Sequence, residues 1–130
     1  MADNNNETLI KKYFPKEWND LILPEKIKES LVKISSNKGY RLLLYSSPGT
    51  GKTTTARLLT KNDSVMYLSG SNDFNIHVMR EKVYSFASGM SQGGKRKTII
   101  IDEFENVKDN LQDAFKITLD QSVNVNFILL

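Results

Sequence analysis

Apolar residues recur along this chain at two spacings, and the changes from one to the other predict its elements. Ile27, Leu31 and Ile34 fall at i, i+4 and i+7, the stripe of an amphipathic helix over 25–37, with Pro24 suited to its first turn and Gly39 ending it. Leu42 to Tyr45 is a short apolar run, and Arg41 to Tyr45 reads as a strand. A helix over 53–61 follows, with Ala56, Leu58 and Leu59 as its apolar positions, until Asn62 and Asp63 break it. Val65 to Leu68 is the second strand, bounded by turn residues, and Ser69 to Asn75 a loop. Met79, Val83, Phe86 and Ala87 share one face of a helix over 76–87. Thr98 to Ile101 is the β-branched run of a strand buried on both faces. Asp109 and Gln112 have the spacing of a capping box for a helix over 110–120, striped by Leu111, Ala114, Phe115 and Leu119. Val125 to Leu130 is the last strand. Strands alternating with helices predict an α/β protein whose parallel sheet is covered on both faces.

Composition narrows this picture. The 130 residues suffice for one domain, and 25% charged with 39% hydrophobic residues describe a globular chain. The net charge of +3 permits a polyanionic partner without demanding one. Without cysteine, thiol catalysis, disulfides and thiolate metal sites are excluded. No apolar run approaches a membrane span, and MADNNNETLI has no signal-peptide centre. A cytoplasmic protein without a membrane partner is therefore expected, with residues 1–8 disordered.

Between the first strand and the second helix stands SSPGTGKTTT, Ser46 to Thr55. Backbone N–H groups of such a glycine-bearing turn converge on an anion, and the helix start adds free N–H groups and a favourable dipole. Pro48, Gly49, Thr50, Gly51, Lys52, Thr53 and Thr54 are thus candidate phosphate contacts. Lys52 reaches the β- and γ-phosphates, and the Thr53 hydroxyl serves Mg²⁺. The consensus has glycine at its first position, where this chain has Ser46.

The strand Thr98 to Ile101 ends in Asp102 and Glu103. Ligands of parallel sheets sit beyond the carboxyl ends of strands, which is where both this pair and the phosphate loop fall. Asp102 can hold Mg²⁺ opposite Thr53, and Glu103 can orient or deprotonate the water attacking the γ-phosphate. Other features are less specific. Tyr13, Phe14 and Trp18 either cap the core or pack on a bound base. The segment 88–97, SGMSQGGKRK, reads as an exposed flexible loop before a nucleic-acid contact. Arg80 and Lys82 read first as solvated helix charges, and His77 is given no role.

Several stretches together resemble the AAA+ ATPases of sliding-clamp loaders, the tailed-phage large subunits in particular. Lys12-Tyr13-Phe14-Pro15 resembles the family's N-terminal KYRP signature and is followed at similar spacing by Ile22-Leu23-Pro24. The phosphate loop is similar to the phage form, which also lacks the first glycine. Ser69 to Ser88 resembles the Asn-Ala-Ser-Asp motif and its helix, and IIIDEFE resembles the second nucleotide motif. Phe14 and Ser69 depart from the family's arginine and asparagine.

The resemblance implies a P-loop NTPase (AAA+) three-layer sandwich over 9–130, truncated after its fourth strand, with lid and collar domains absent. It implies an ATP- and Mg²⁺-dependent subunit of an arc of loader subunits that opens a sliding clamp and closes it on primer-template DNA. Lys12, Tyr13 and Ile22 match positions bordering adenine and ribose, and Arg80, with Lys82 behind it, matches a DNA-facing helix. A chain cut there is expected to bind nucleotide weakly, hydrolyse it slowly, and leave its first strand as a bare edge. The alternatives are a subunit that holds nucleotide without hydrolysing it, and a helicase loader or replication initiator.

Overall fold

In a computed structural model, residues 13–71 and 75–130 are described. Lys12 and the expected disorder of residues 1–8 lie outside them. Four α-helices and four strands alternate among these residues: α1 (Glu25–Ser35), β1 (Arg41–Leu43), α2 (Lys52–Leu59), β2 (Ser64–Ser69), α3 (Ile76–Ser88), β3 (Lys97–Asp102), α4 (Asp109–Gln121) and β4 (Val125–Leu129). The strands form one parallel sheet in the order β1-β4-β3-β2.

Strand alternation sorts side chains to two faces. Ile99 and Ile101 of β3, with Val125 and Phe127 of β4, pack under Met79 and Val83 of α3 and Phe115 of α4. Ile100 and Ile128 point the other way, against Leu31 of α1 and Ala56 and Leu59 of α2. The expected three layers are present. Among the described residues β1 and β2 are the two edge strands, and Leu43 in β1 and Tyr45 just after it are exposed.

Several boundaries and roles differ from the sequence reading. α1 stops at Ser35 because Ser35 and Ser36 hydroxyls bond back to Val32 O and Lys33 O, tightening the last turn. Ile27 is 47% exposed, since α1 reaches this core through Leu31 and Ile34 in its second half. The capping box is absent. α4 begins one residue earlier, with Lys108 as N-cap, and the Gln112 side-chain amide donates to Val107 O at 2.9 Å instead of accepting from the cap N–H. β2 and β3 run into their polar flanks, because the parallel ladder pairs Ser64 with Lys97 and Ser69 with Asp102 whatever their polarity.

The basic end of the 88–97 loop serves the fold. Arg96 pairs with the buried Asp63 carboxylate at 3.0 Å, and Asp63 also accepts from Thr98 Oγ1 at 2.7 Å. Asn126 extends this network, donating to Thr98 Oγ1 and accepting from the Gly39 and Tyr40 amides. Lys97 Nζ donates to Ala87 O and Gly89 O at the end of α3. Two of the three consecutive cations are therefore engaged inside the domain.

Arg41 fastens the edge strand β1 to α4. Its guanidinium donates to Leu119 O at 2.8 Å, Ser122 O at 3.0 Å, Val125 O at 2.6 Å and Gly39 O at 3.0 Å, and lies 4.8 Å over the Phe127 ring. Burial, opposed by Asp120, lowers its pKa, yet a guanidinium remains charged. Arg41→Met keeps the apolar stem and removes these charge-assisted bonds, so stability is expected to fall by about 1.5–3 kcal/mol. Urea unfolding with an unchanged slope checks this; an unmoved midpoint refutes it.

Candidate functional site

The phosphate loop follows β1, Asp102 and Glu103 follow β3, and Ser69 to Ser71 close β2, so three carboxyl ends of one sheet converge. The fold explains the loop's residue types. Gly49 (φ 76°) and Gly51 (φ 87°) hold left-handed conformations that a side chain would strain, and Gly51 is the N-cap of α2. Thr50 Oγ1 donates to Ser47 O at 2.9 Å and contacts Ser46 Oγ, so the serine at the first loop position braces the turn. Lys52 Nζ folds back to Ser46 O at 2.8 Å, holding its charge over the loop. Thr55 Oγ1 donates to Gly51 O at 2.8 Å within the first turn of α2.

Thr53 Oγ1 faces Asp102 Oδ2 at 3.4 Å. A hydroxyl and one carboxylate are hard oxygen donors of the kind that hold Mg²⁺ together with waters and phosphate oxygens. The described residues contain no cluster of three or more histidine, cysteine, aspartate or glutamate side chains able to cage a metal unaided. This donor set fits a Mg²⁺ brought in with a nucleotide.

Glu103 is held in an unusual way. It is the one non-glycine among the described residues with positive φ, 55°, a left-handed conformation that costs about 1–2 kcal/mol. Its amide donates to Asp102 Oδ1 at 2.8 Å. Its carboxylate accepts from Ser71 Oγ, and from Ser69 Oγ at 3.5 Å. Gly70 permits this closeness, since a Cβ there would stand 2.2 Å from Glu103 O. Strained backbone at a polar strand end is where function is commonly found.

Residues 42–128 match the family model described as "ATPase family associated with various cellular activities (AAA)". The chain belongs to the AAA ATPase family. Within it, this AAA chain is 40% identical over 108 residues to the "Sliding-clamp-loader large subunit" of Enterobacteria phage T4, covering 80% of this chain and 34% of that protein. It is 32% identical over 123 residues to the "Probable replication factor C subunit 5" of Dictyostelium discoideum, covering 86% and 35%. It is 32% identical over 131 residues to the "Replication factor C small subunit 2" of Pyrobaculum islandicum, covering 93% and 41%. The AAA chain thus spans between a third and about two fifths of these relatives.

Lys52, Thr53, Asp102 and Glu103 are brought to one sheet edge in this AAA chain, with Pro48 to Gly51 before them and Thr54 in the same helix start. Tyr13 and Ile22 lie on the N-terminal segment, both exposed, and Lys12 falls outside the described residues. Arg80 and Lys82 are not brought to the phosphate loop. Both belong to α3, on the opposite face of the sheet from α2, and Arg80 lines a groove of about 770 Å³ with Tyr84, Ile117 and Val123. Sequence reasoning missed Gly70 and Ser71. Their signal was the register of β2 against β3, which cannot be read before the strands are paired.

Proposed function

We propose that this chain supplies the ATP site of a sliding-clamp-loader subunit, which hydrolyses ATP with Mg²⁺ while a clamp is loaded on primer-template DNA. The convergence of Lys52, Thr53, Asp102 and Glu103 carries the reading. Lys52 and the amides of 48–54 bind the phosphates, and Thr53 with Asp102 holds the metal, which neutralises charge on the phosphate oxygens. Glu103, once its carboxylate leaves Ser71, is placed to take a proton from water at the γ-phosphate. Tyr13 and Ile22, with Lys12, border the base, and Arg80 with Lys82 behind it contacts the DNA backbone. Other loader subunits, the clamp and DNA are its partners, in the cytoplasm. No helix among the described residues is long and apolar enough to cross a membrane.

Two measurements test this. Lys52→Ala removes charge-assisted hydrogen bonds of about 1.5–3 kcal/mol, and Mg-ATP binding by calorimetry is expected to weaken about 10- to 100-fold. Unchanged affinity refutes nucleotide binding at this loop. In the assembled loader, ATP turnover is expected to rise when clamp and primer-template DNA are added together. A rate indifferent to both refutes the loader role and leaves the phosphate site standing.

A further inference from the structure

Arg57 stands on α2, about one and a half turns beyond Lys52. Its guanidinium carbon lies 5.7 Å from the ring centre of Phe14 and 5.7 Å from that of Tyr67. A cation at such distances is attracted by the negative face of each ring, and the flat, weakly hydrated guanidinium suits stacking better than an ammonium does. The rings come from different elements. Tyr67 belongs to β2, and Phe14 to the segment that precedes α1.

That segment is pinned at further points on and just beyond α2. Lys61 Nζ donates to Lys16 O at 3.3 Å, Leu21 is buried, and Trp18 packs on the same core face as Leu59. Asp20 accepts from the Lys16 and Glu17 amides at 2.9 and 3.0 Å, so residues 16–20 turn as a unit, and these bonds hold its carboxyl below the usual range. Against this anchoring, Tyr13 is 72% exposed and Ile22 fully so. Large solvent-exposed side chains on a fixed segment beside a phosphate-loop helix offer a flat aromatic group something to pack on.

We propose that Arg57 is a positioning residue for the nucleotide base: in cation–aromatic contact with both Phe14 and Tyr67, it holds residues 13–22 against α2 so that Tyr13 and Ile22 meet the adenine. The proposal rests on the nucleotide reading above. It separates two parts of that site, because Arg57 touches the base-bearing segment and not the phosphate loop. Phe14, a departure from the family's arginine, has its place here as a ring that meets an arginine from α2.

The test compares Mg-ATP with inorganic tripolyphosphate plus Mg²⁺, which shares the phosphates and lacks the base, titrated into the same chain. Arg57→Ala is expected to weaken ATP about five- to tenfold, the range of two partly exposed cation–aromatic contacts, and to leave tripolyphosphate unchanged. Phe14→Leu is expected to show the same selectivity, and Arg57→Lys a smaller loss. Equal weakening of both ligands, or an ATP affinity that does not move, overturns the role. Lys52→Ala is the reference and must weaken both ligands. If it weakens neither, the nucleotide reading has failed and base positioning fails with it.

Discussion

Glu103→Gln is expected to lower ATP turnover of the assembled subunit by about 10²–10⁴-fold, the usual weight of a general base, with Mg-ATP affinity preserved. The substitution removes basicity and little else. A glutamine amide oxygen still accepts from Ser71 and Ser69, so the tie between the ends of β2 and β3 survives. Residue 103 also keeps its left-handed backbone, which Gly70 accommodates. Lys52, Thr53 and Asp102, the residues proposed to hold phosphates and metal, are positioned by Ser46 O and by each other rather than by the Glu103 carboxylate. Single-turnover hydrolysis alongside equilibrium nucleotide binding separates the outcomes. Retained turnover places the base elsewhere, whereas loss of binding makes Glu103 part of the ligand cradle. A wild-type protein that binds but never turns over is the subunit that only holds nucleotide.

What the sequence disclosed is what spacing along a chain can encode. Ile99 to Ile101 are apolar at successive positions because β3 is covered on both faces, and both layers can be inferred from that run. The phosphate loop is legible because its glycines, lysine and threonine are consecutive. Asp102 and Glu103 follow because parallel strands expose their carboxyl ends together. Contacts across the fold are a different matter. Arg41 gathers carbonyls from residues 119–125, Arg57 meets a ring from β2 and another from before α1, and Arg96 finds Asp63. Each of these cations reads as a solvated charge until the chain is folded. Asp109 and Gln112 show the opposite error, since a local motif lost to a backbone turn that starts the helix at Lys108 O.

Phe127→Ala is expected to cost about 3–5 kcal/mol, the largest stability loss of any substitution considered. Phe127 is fully buried on β4, next to the edge strand β1, and two interactions converge on its ring. Phe115 of α4 meets it nearly edge-on, with centroids 5.8 Å apart and planes at 77°. The Arg41 guanidinium lies over it, and β-ladder pairing sets it beside Ile99 and Arg41. Phe115 in turn packs on Phe104, 5.8 Å away in the turn that begins directly after Glu103. Alanine therefore opens a cavity beneath α4 and loosens the row of rings that supports the turn after Glu103. Against a typical total stability of about 5–15 kcal/mol, a loss of this size leaves a marginal domain. Urea unfolding of Phe127→Ala beside Phe127→Leu measures it: leucine fills part of the space and is expected to recover part of the loss. A fall below about 1 kcal/mol for alanine would mean that the surrounding side chains collapse into the gap, and that Phe127 does not carry the contact between α4 and the sheet.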